Sequence, residues 1–386
     1  MRLAVLTTHP IQYQAPVFRE LAKQPGLELK VFFGCDQGVR PVEDANFKTV
    51  FQWDCDLLSG YNYEFFSNKP LLNICGLPGL PLAIKAFRKI KAYKPDVILF
   101  FSYTPLFITV STLLLSSFGF RIFLRAETTD VAIERFWLKS LLRKCVLTTY
   151  YKFIHHFFPL GTNSIEHYLT MGIQKEQLTP VPYAVDVDFF QNQVLHWLPQ
   201  REQLREALCI KKDAHVFIYC GKMFWPKNPL LIPKALSLLS DADKKRIWLL
   251  AVGDGELREQ FERLAKEQLG ERSLFVGFKN QSELGEYYAI ADTLILPSQS
   301  GETWGLVVNE ALQFGLRAIV SSKTGCAVDL VNSIDRGLIF SSGNALDLSK
   351  CISEIINSPQ KSSCTLADLP HPKHFVQALY ERILEE

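Results

Sequence analysis

The sequence predicts an α/β protein of two domains, each a parallel sheet covered by helices. Its 386 residues exceed the ~250 to 300 at which a single hydrophobic core stops growing. Short apolar, β-rich runs alternate with stretches of helical spacing in both halves of the chain, the rhythm of βαβ units. Several of these runs are apolar throughout, as strands buried on both faces are.

In order, Arg2 to Thr7 reads as a strand, Tyr13 to Lys23 as a helix and Leu27 to Gly34 as a second strand. Pro81 to Tyr93 is helical, Asp96 to Phe101 is a buried strand, and Arg121 to Glu127 resumes the pattern. Thr104 to Gly119 is very apolar, yet it falls short of the about 20 residues a membrane span needs and is expected to be a buried crossover helix. The opening MRLAVLTTHP reads as a strand rather than a signal peptide, because its apolar run is short and ends in polar residues. Leu160 to Asp188 is expected to join a first domain, 1–165, to a second, 190–365, with the active site in the cleft between them. A helix is expected within 366–386.

Composition narrows the function. A net charge of only +2 argues against nucleic acid as the main partner. Nine scattered cysteines with no C-x-x-C pair indicate neither a zinc site nor a disulfide framework, and fit a reducing cytoplasm. Residues 1–190 carry 20 Lys and Arg against 16 Asp and Glu, so the first domain is the more basic. Within it, Glu134 to Phe158 interleaves Arg135, Lys139, Arg143, Lys144 and Lys152 with Phe136, Trp137, Leu138, Leu141 and Leu142. Two readings stand: a peripheral contact with anionic lipid, or a helix whose apolar face covers the sheet while its lysines face water.

The richest stretch is PSQSGETWGLVVNEALQFGLRAIVS, from Pro297 to Ser321. Thr293 to Ser298 is a buried strand, Trp304 to Phe314 has helical spacing, Gly315 is placed to stop that helix, and Arg317 to Ser321 is the next strand. In a βαβ unit of this kind, ligands bind outside the carboxyl ends of the strands, where a helix start offers N–H groups to an anion. Gly301 and Gly305 allow close backbone approach, while Glu302 and Glu310, eight residues apart, suit hydroxyls. A ligand with phosphates at its centre and polyols on both sides is a nucleotide sugar. The competing reading is that the helix dipole favours Glu302 and that Glu310 is a solvated surface residue.

The E-x7-E spacing within GETWGLVVNEALQFG resembles the donor motif of the retaining glycosyltransferases of family 4, with Trp304 where Phe is usual. Tyr219 to Leu239, Leu249 to Glu267, the Val-Gly-Phe turn at Gly277 and the segment Pro180 to Phe190 resemble further landmarks in the family's order. In the last of these, Tyr183-Ala184 replaces the usual Asn-Gly. The resemblance implies a GT-B architecture of two Rossmann-like domains, with the C-terminal helix packing back on the first. It implies a donor site of Gly221, Lys222, Lys227, Gly277, Phe278, Glu302, Thr303, Trp304, Gly305, Leu306 and Glu310, in which Lys222 and Lys227 hold the diphosphate, Glu302 orients the sugar and Glu310 holds the ribose. No cofactor and no metal are implied, although Asp186-Val187-Asp188 has the D-x-D form that holds a divalent ion in glycosyltransferases of another fold. The implied reaction moves a hexose from a nucleoside diphosphate sugar to a glycan or lipid-linked acceptor, the leaving diphosphate helping to deprotonate the incoming hydroxyl.

The acceptor wall departs from the family. The loop Thr8 to Phe18 has no glycine, so His9, Gln12 and Tyr13 would line the acceptor side, or His9 would cap the next helix. Glu127 falls where members often place a histidine near the reacting sugar; it would hold sugar hydroxyls, accept the acceptor's proton, or pair with Arg125. Two other functions stay open: a sugar-nucleotide epimerase of the same architecture, and a non-catalytic nucleotide-sugar-binding protein. The sequence leaves UDP against GDP undecided.

Overall fold

The computed structural model describes residues 1–44, 49–133, 136–331, 335–358 and 369–385. Fourteen strands are present among them: β1 Arg2–Thr7, β2 Glu28–Cys35, β3 Val42–Asp44, β4 Thr49–Phe51, β5 Asn62–Ser67, β6 Val97–Phe100, β7 Arg121–Leu124, β8 His156–Phe157, β9 His215–Cys220, β10 Ile247–Val252, β11 Ser273–Gly277, β12 Thr293–Leu296, β13 Arg317–Ser321 and β14 Gly337–Phe340. The order β5-β2-β1-β6-β7-β8 makes one sheet and β11-β10-β9-β12-β13-β14 another, while β3 and β4 form a separate antiparallel pair. Each six-stranded sheet is parallel throughout and reverses direction of growth beside its first strand, between β1 and β6 and between β9 and β12. Two doubly wound domains are the result.

The apolar runs explain the layering. Val97–Phe100 and Thr293–Leu296 are buried at every position, because helices cover both faces of each sheet. Leu3, Val5, Val31 and Leu99 point to one face of the first sheet, and Ala4, Leu6, Phe32 and Ile98 to the other. The very apolar segment forms the crossover helix Leu106–Ser117, and no helix among the described residues is long and apolar enough to cross a membrane.

Several boundaries move for local reasons. The first helix is Ala15–Ala22, with Pro16 in its first turn, where a missing N–H costs nothing. β7 stops at Leu124 because the chain turns at Ala126, whose carbonyl accepts from Thr128 N at 2.9 Å. The expected helix from Trp304 begins at Leu306, since Gly305 has φ +100°, a left-handed conformation that breaks the helix on its N-terminal side.

The helix Pro372–Leu384 lies against the first domain. Phe375, Val376, Leu379 and Ile383 share a core with Leu3, Phe18 and Phe158, and Tyr380 Oη donates to Pro25 O at 2.8 Å. Arg125, buried at the hinge, donates to Val181 O at 3.0 Å and lies 4.2 Å over the Phe375 ring. One residue thus ties together the first sheet, the linker and the terminal helix.

The basic and aromatic segment forms the helix Trp137–Tyr151, whose packing differs from the sheet-covering reading. Only Leu147, Tyr150 and Tyr151 are buried, whereas Phe136, Trp137, Leu138, Leu141, Leu142 and Val146 are all more than half exposed. Arg143 turns inward to Asp130 at 2.7 Å. Glu134 and Arg135 lie outside the described residues, as do 359–368 near the expected end of the second domain.

Candidate functional site

The site is built where strand order reverses in the second sheet. Connections from β9 and β12 leave toward opposite faces, so the loops that follow them flank an opening at the sheet's carboxyl edge. Gly253, after β10, closes one side: it has φ +131°, and a Cβ there would lie 2.0 Å from Gly221 O. Backbone packs directly on backbone at this wall. The loop after β9 contains the 3₁₀ turn Trp225–Lys227 and is joined to the loop after β12 by Gln299 N donating to Pro226 O at 2.9 Å.

That joint brings Lys227 onto Glu302. Their ion pair is shared with Ser298 Oγ, which donates to the same carboxylate oxygen at 2.7 Å, and Glu302 is only 7% exposed. A carboxylate so enclosed needs these donors: stripping the partner from a buried charge costs about 3–5 kcal/mol. Lys222 lies five residues earlier on the same loop, half-buried, its carbonyl accepting from Tyr219 Oη at 2.7 Å.

Glu310 sits in the second turn of the helix Leu306–Gln313 and is 3% exposed, which excludes the solvated-surface reading. Each carboxylate oxygen accepts from a phenol, Oε1 from Tyr13 and Oε2 from Tyr288, both at 2.7 Å. Burial raises its carboxyl above the ordinary carboxylate range, and the two phenols oppose that shift. Tyr13, expected on the acceptor wall, belongs to the first domain, so the two domains meet on this one carboxylate. Gln12 beside it donates to Gln281 Oε1 at 2.8 Å.

The first domain also accepts two hydrogen bonds from the donor loop. Ala132 O accepts from Gly301 N at 2.8 Å, and Glu127 Oε2 accepts from Thr303 Oγ1 at 3.0 Å. Glu127 is exposed to water, with groups of both domains around it. Desolvation by these neighbours raises its carboxyl; Thr303, Tyr183 and Arg125 oppose the rise, and Glu302 adds to it. His9 hydrogen-bonds its neighbour Thr8 through Nδ1 at 2.9 Å, and burial lowers its pKa to about 4, leaving a neutral imidazole. It does not cap the next helix, whose N-cap residue is Gln14.

Trp304 and Asp186 have structural tasks. Trp304 is 3% exposed; its Nε1 donates to Asn309 Oδ1 at 2.8 Å and its ring presses on Gly161, so the indole is core and does not line the opening. Asp186 of the D-x-D sequence caps a helix at Phe189 N and pairs with Arg19 at 2.7 Å, both structural tasks. Among the described residues, no three His, Cys, Asp or Glu side chains come together as metal ligands. A cavity of about 150 Å³ lies between Gly221, Gly253, Phe278 and Glu310, beside the Gly277 turn. Sequence reasoning missed Tyr288 and Ser298, whose types and spacing carry no signal, and did not place Trp53 on that cavity.

The arrangement offers two enclosed carboxylates for hydroxyls, a lysine-bearing loop for an anion, and a helix start between them. Glu310 also sets a pH dependence. Its raised folded value means that the native protein keeps a proton there which the unfolded chain releases first, so stability is lost as pH rises from the ordinary carboxylate range through the raised value. Thermal unfolding of Glu310→Gln, which has no charge to acquire, is expected to fall less over that interval than that of the wild type; parallel curves would contradict the assignment.

Residues 200–367 match the model of the family Glycosyl transferases group 1. The lipopolysaccharide 1,2-N-acetylglucosaminetransferase of Salmonella typhimurium is 30% identical over 142 residues, 35% of this chain and 37% of that one. The lipopolysaccharide glucosyltransferase WaaG of Escherichia coli is 32% identical over 127 residues, 33% of each chain. The chain thus spans about a third of the length of these relatives. Its fold is that of Anabaena HepE, solved in complex with UDP and glucose, at a TM-score of 0.70 and 18% identity with both chains fully covered. WaaG gives a TM-score of 0.63 at 16% identity, covering 97% of this chain and 95% of that one. The fold is GT-B, and the match to the group 1 glycosyl transferase model lies in its second domain.

Proposed function

We propose that this chain is a retaining glycosyltransferase that moves a hexose from a nucleoside diphosphate sugar to a hydroxyl of a glycan or lipid-linked acceptor. The observation that carries the reading is the Lys227–Glu302 pair at the strand-order reversal, followed by buried Glu310 on the next helix. Both carboxylates are already satisfied by ammonium and hydroxyl donors, and the hydroxyls of a hexose and of a ribose can replace these like for like. The diphosphate between them would lie along Lys222, Lys227 and the N–H groups near Thr303 to Leu306, with Gly221, Gly277 and Phe278 toward the base. The fold neighbour solved with UDP and glucose supports a UDP-sugar donor, and two relatives named for lipopolysaccharide support a cell-surface acceptor.

In the reaction, the bond from the anomeric carbon to the diphosphate oxygen breaks while the acceptor oxygen bonds to the same face. The acceptor's proton passes to the departing phosphate, whose charge the two lysines neutralise without a metal. Glu127, bonded to Thr303 of the donor loop, would bind a sugar hydroxyl in the place of the family's histidine, with neutral His9 on the acceptor side.

The acceptor would be reached at a membrane surface, the inner face of the cell membrane in this reading. The helix Trp137–Tyr151 has no acidic residue and exposes Lys139 and Lys144 beside its bare apolar side chains. The loop before that helix contributes Ala132 O to the donor loop, which sets this surface next to the opening. Sedimentation with anionic vesicles is expected to carry the protein down, and Leu142→Glu to leave it in solution; indifference to vesicles would remove the membrane from the account.

The function is tested by incubation with a panel of UDP- and GDP-sugars, with and without membrane extracts carrying acceptors. Glycosylated product is expected only with acceptor, and from a UDP-sugar. Epimer formation without acceptor would replace transferase by epimerase, and nucleotide-sugar binding without turnover would leave a binding protein.

A further inference from the structure

We propose that Trp53 of the first domain forms the outer wall of the nucleobase subsite, so that the donor's base is held between the two domains rather than by the second alone. The inference rests on the nucleotide-sugar reading of the site. The cavity of about 150 Å³ is lined by Glu310, the expected ribose partner, by Phe278 and by Gly221 and Gly253. A volume of that size accepts one six-membered aromatic ring. Trp53 lines the same cavity from the opposite domain, half-buried, with its indole resting against Gly38.

Its position is fixed from both sides. Before it, Gln52 O accepts from Asn280 Nδ2 at 2.7 Å; after it, the Asp54 carboxylate accepts from Ser282 N at 3.2 Å and from Ser282 Oγ. Asn280 and Ser282 belong to the turn that follows Phe278, so these bonds hold the indole over the same opening as that ring. Asn280 is itself fixed, its Oδ1 accepting from Gln281 N at 3.0 Å. Stacking on an aromatic face suits any base, and here two aromatic residues, one from each domain, border a space of ring size.

Calorimetric titration with UDP and with inorganic pyrophosphate, which has no base, tests the proposal. Trp53→Ala is expected to weaken UDP about tenfold or more and to leave pyrophosphate unchanged, while Trp53→Phe stays close to the wild type. Asp54→Ala, which unfastens the segment but keeps the indole, is expected to weaken UDP in the same direction. Unchanged UDP affinity in Trp53→Ala, or an equal loss of UDP and pyrophosphate, overturns the role of Trp53 while leaving the donor site standing. A wild-type protein that binds neither UDP nor GDP overturns the donor reading itself, and this inference with it.

Discussion

The reversal of strand order between β9 and β12 is the constraint on which the rest of the molecule depends. Right-handed crossovers leaving that point to opposite faces hold two loops apart at the carboxyl edge of the sheet, where no helix covers them. One loop brings Lys227 and the other Glu302. Neither side chain is well placed alone: a lysine and a carboxylate this enclosed each lose hydration, and their contact, with Ser298 as a further donor, offsets that loss. The pair holds a charge of each sign at the opening, where the proposed donor's sugar would meet its phosphates.

The second domain does not complete its own site. Glu310 takes one phenol from Tyr288 of its own domain and another from Tyr13 of the first, while Thr303 and Gly301 on the donor loop bond to Glu127 and Ala132. These polar contacts lie at the opening itself, so the approach of the two domains there helps to set its geometry. Arg125 carries this organisation to the hinge, where it grips the linker carbonyl of Val181 and stacks on Phe375 of the terminal helix. Its burial lowers even a guanidinium pKa to about 10, a sign of how completely water is removed there.

The fold was legible because fully apolar strand runs announce sheets buried on both faces, and Arg317–Ser321 was delimited to the residue. Boundaries drifted where the deciding force was a single backbone feature, such as the left-handed Gly305 or the turn at Ala126. In the site, Glu302 and Glu310 stood out through their spacing. The donors that satisfy them, Tyr13, Tyr288 and Ser298, lie 297, 22 and 4 residues from their partners and share no pattern with them. The family resemblance put Trp304 in the donor site; in the structure Asn309 and the small Gly161 hold its indole in the core. The exposed half of the helix Trp137–Tyr151 shows the converse limit, since periodicity marks an apolar face without saying what covers it.

The central claim is that the Lys227 loop and Glu310 grip two parts of one nucleotide. It is tested most directly by the dissociation constant of UDP for Lys227→Ala and Glu310→Ala, measured by calorimetry at one ionic strength. Loss of a charge-assisted contact in each variant predicts weakening by about tenfold or more. Affinities equal to the wild type in both folded variants would contradict it.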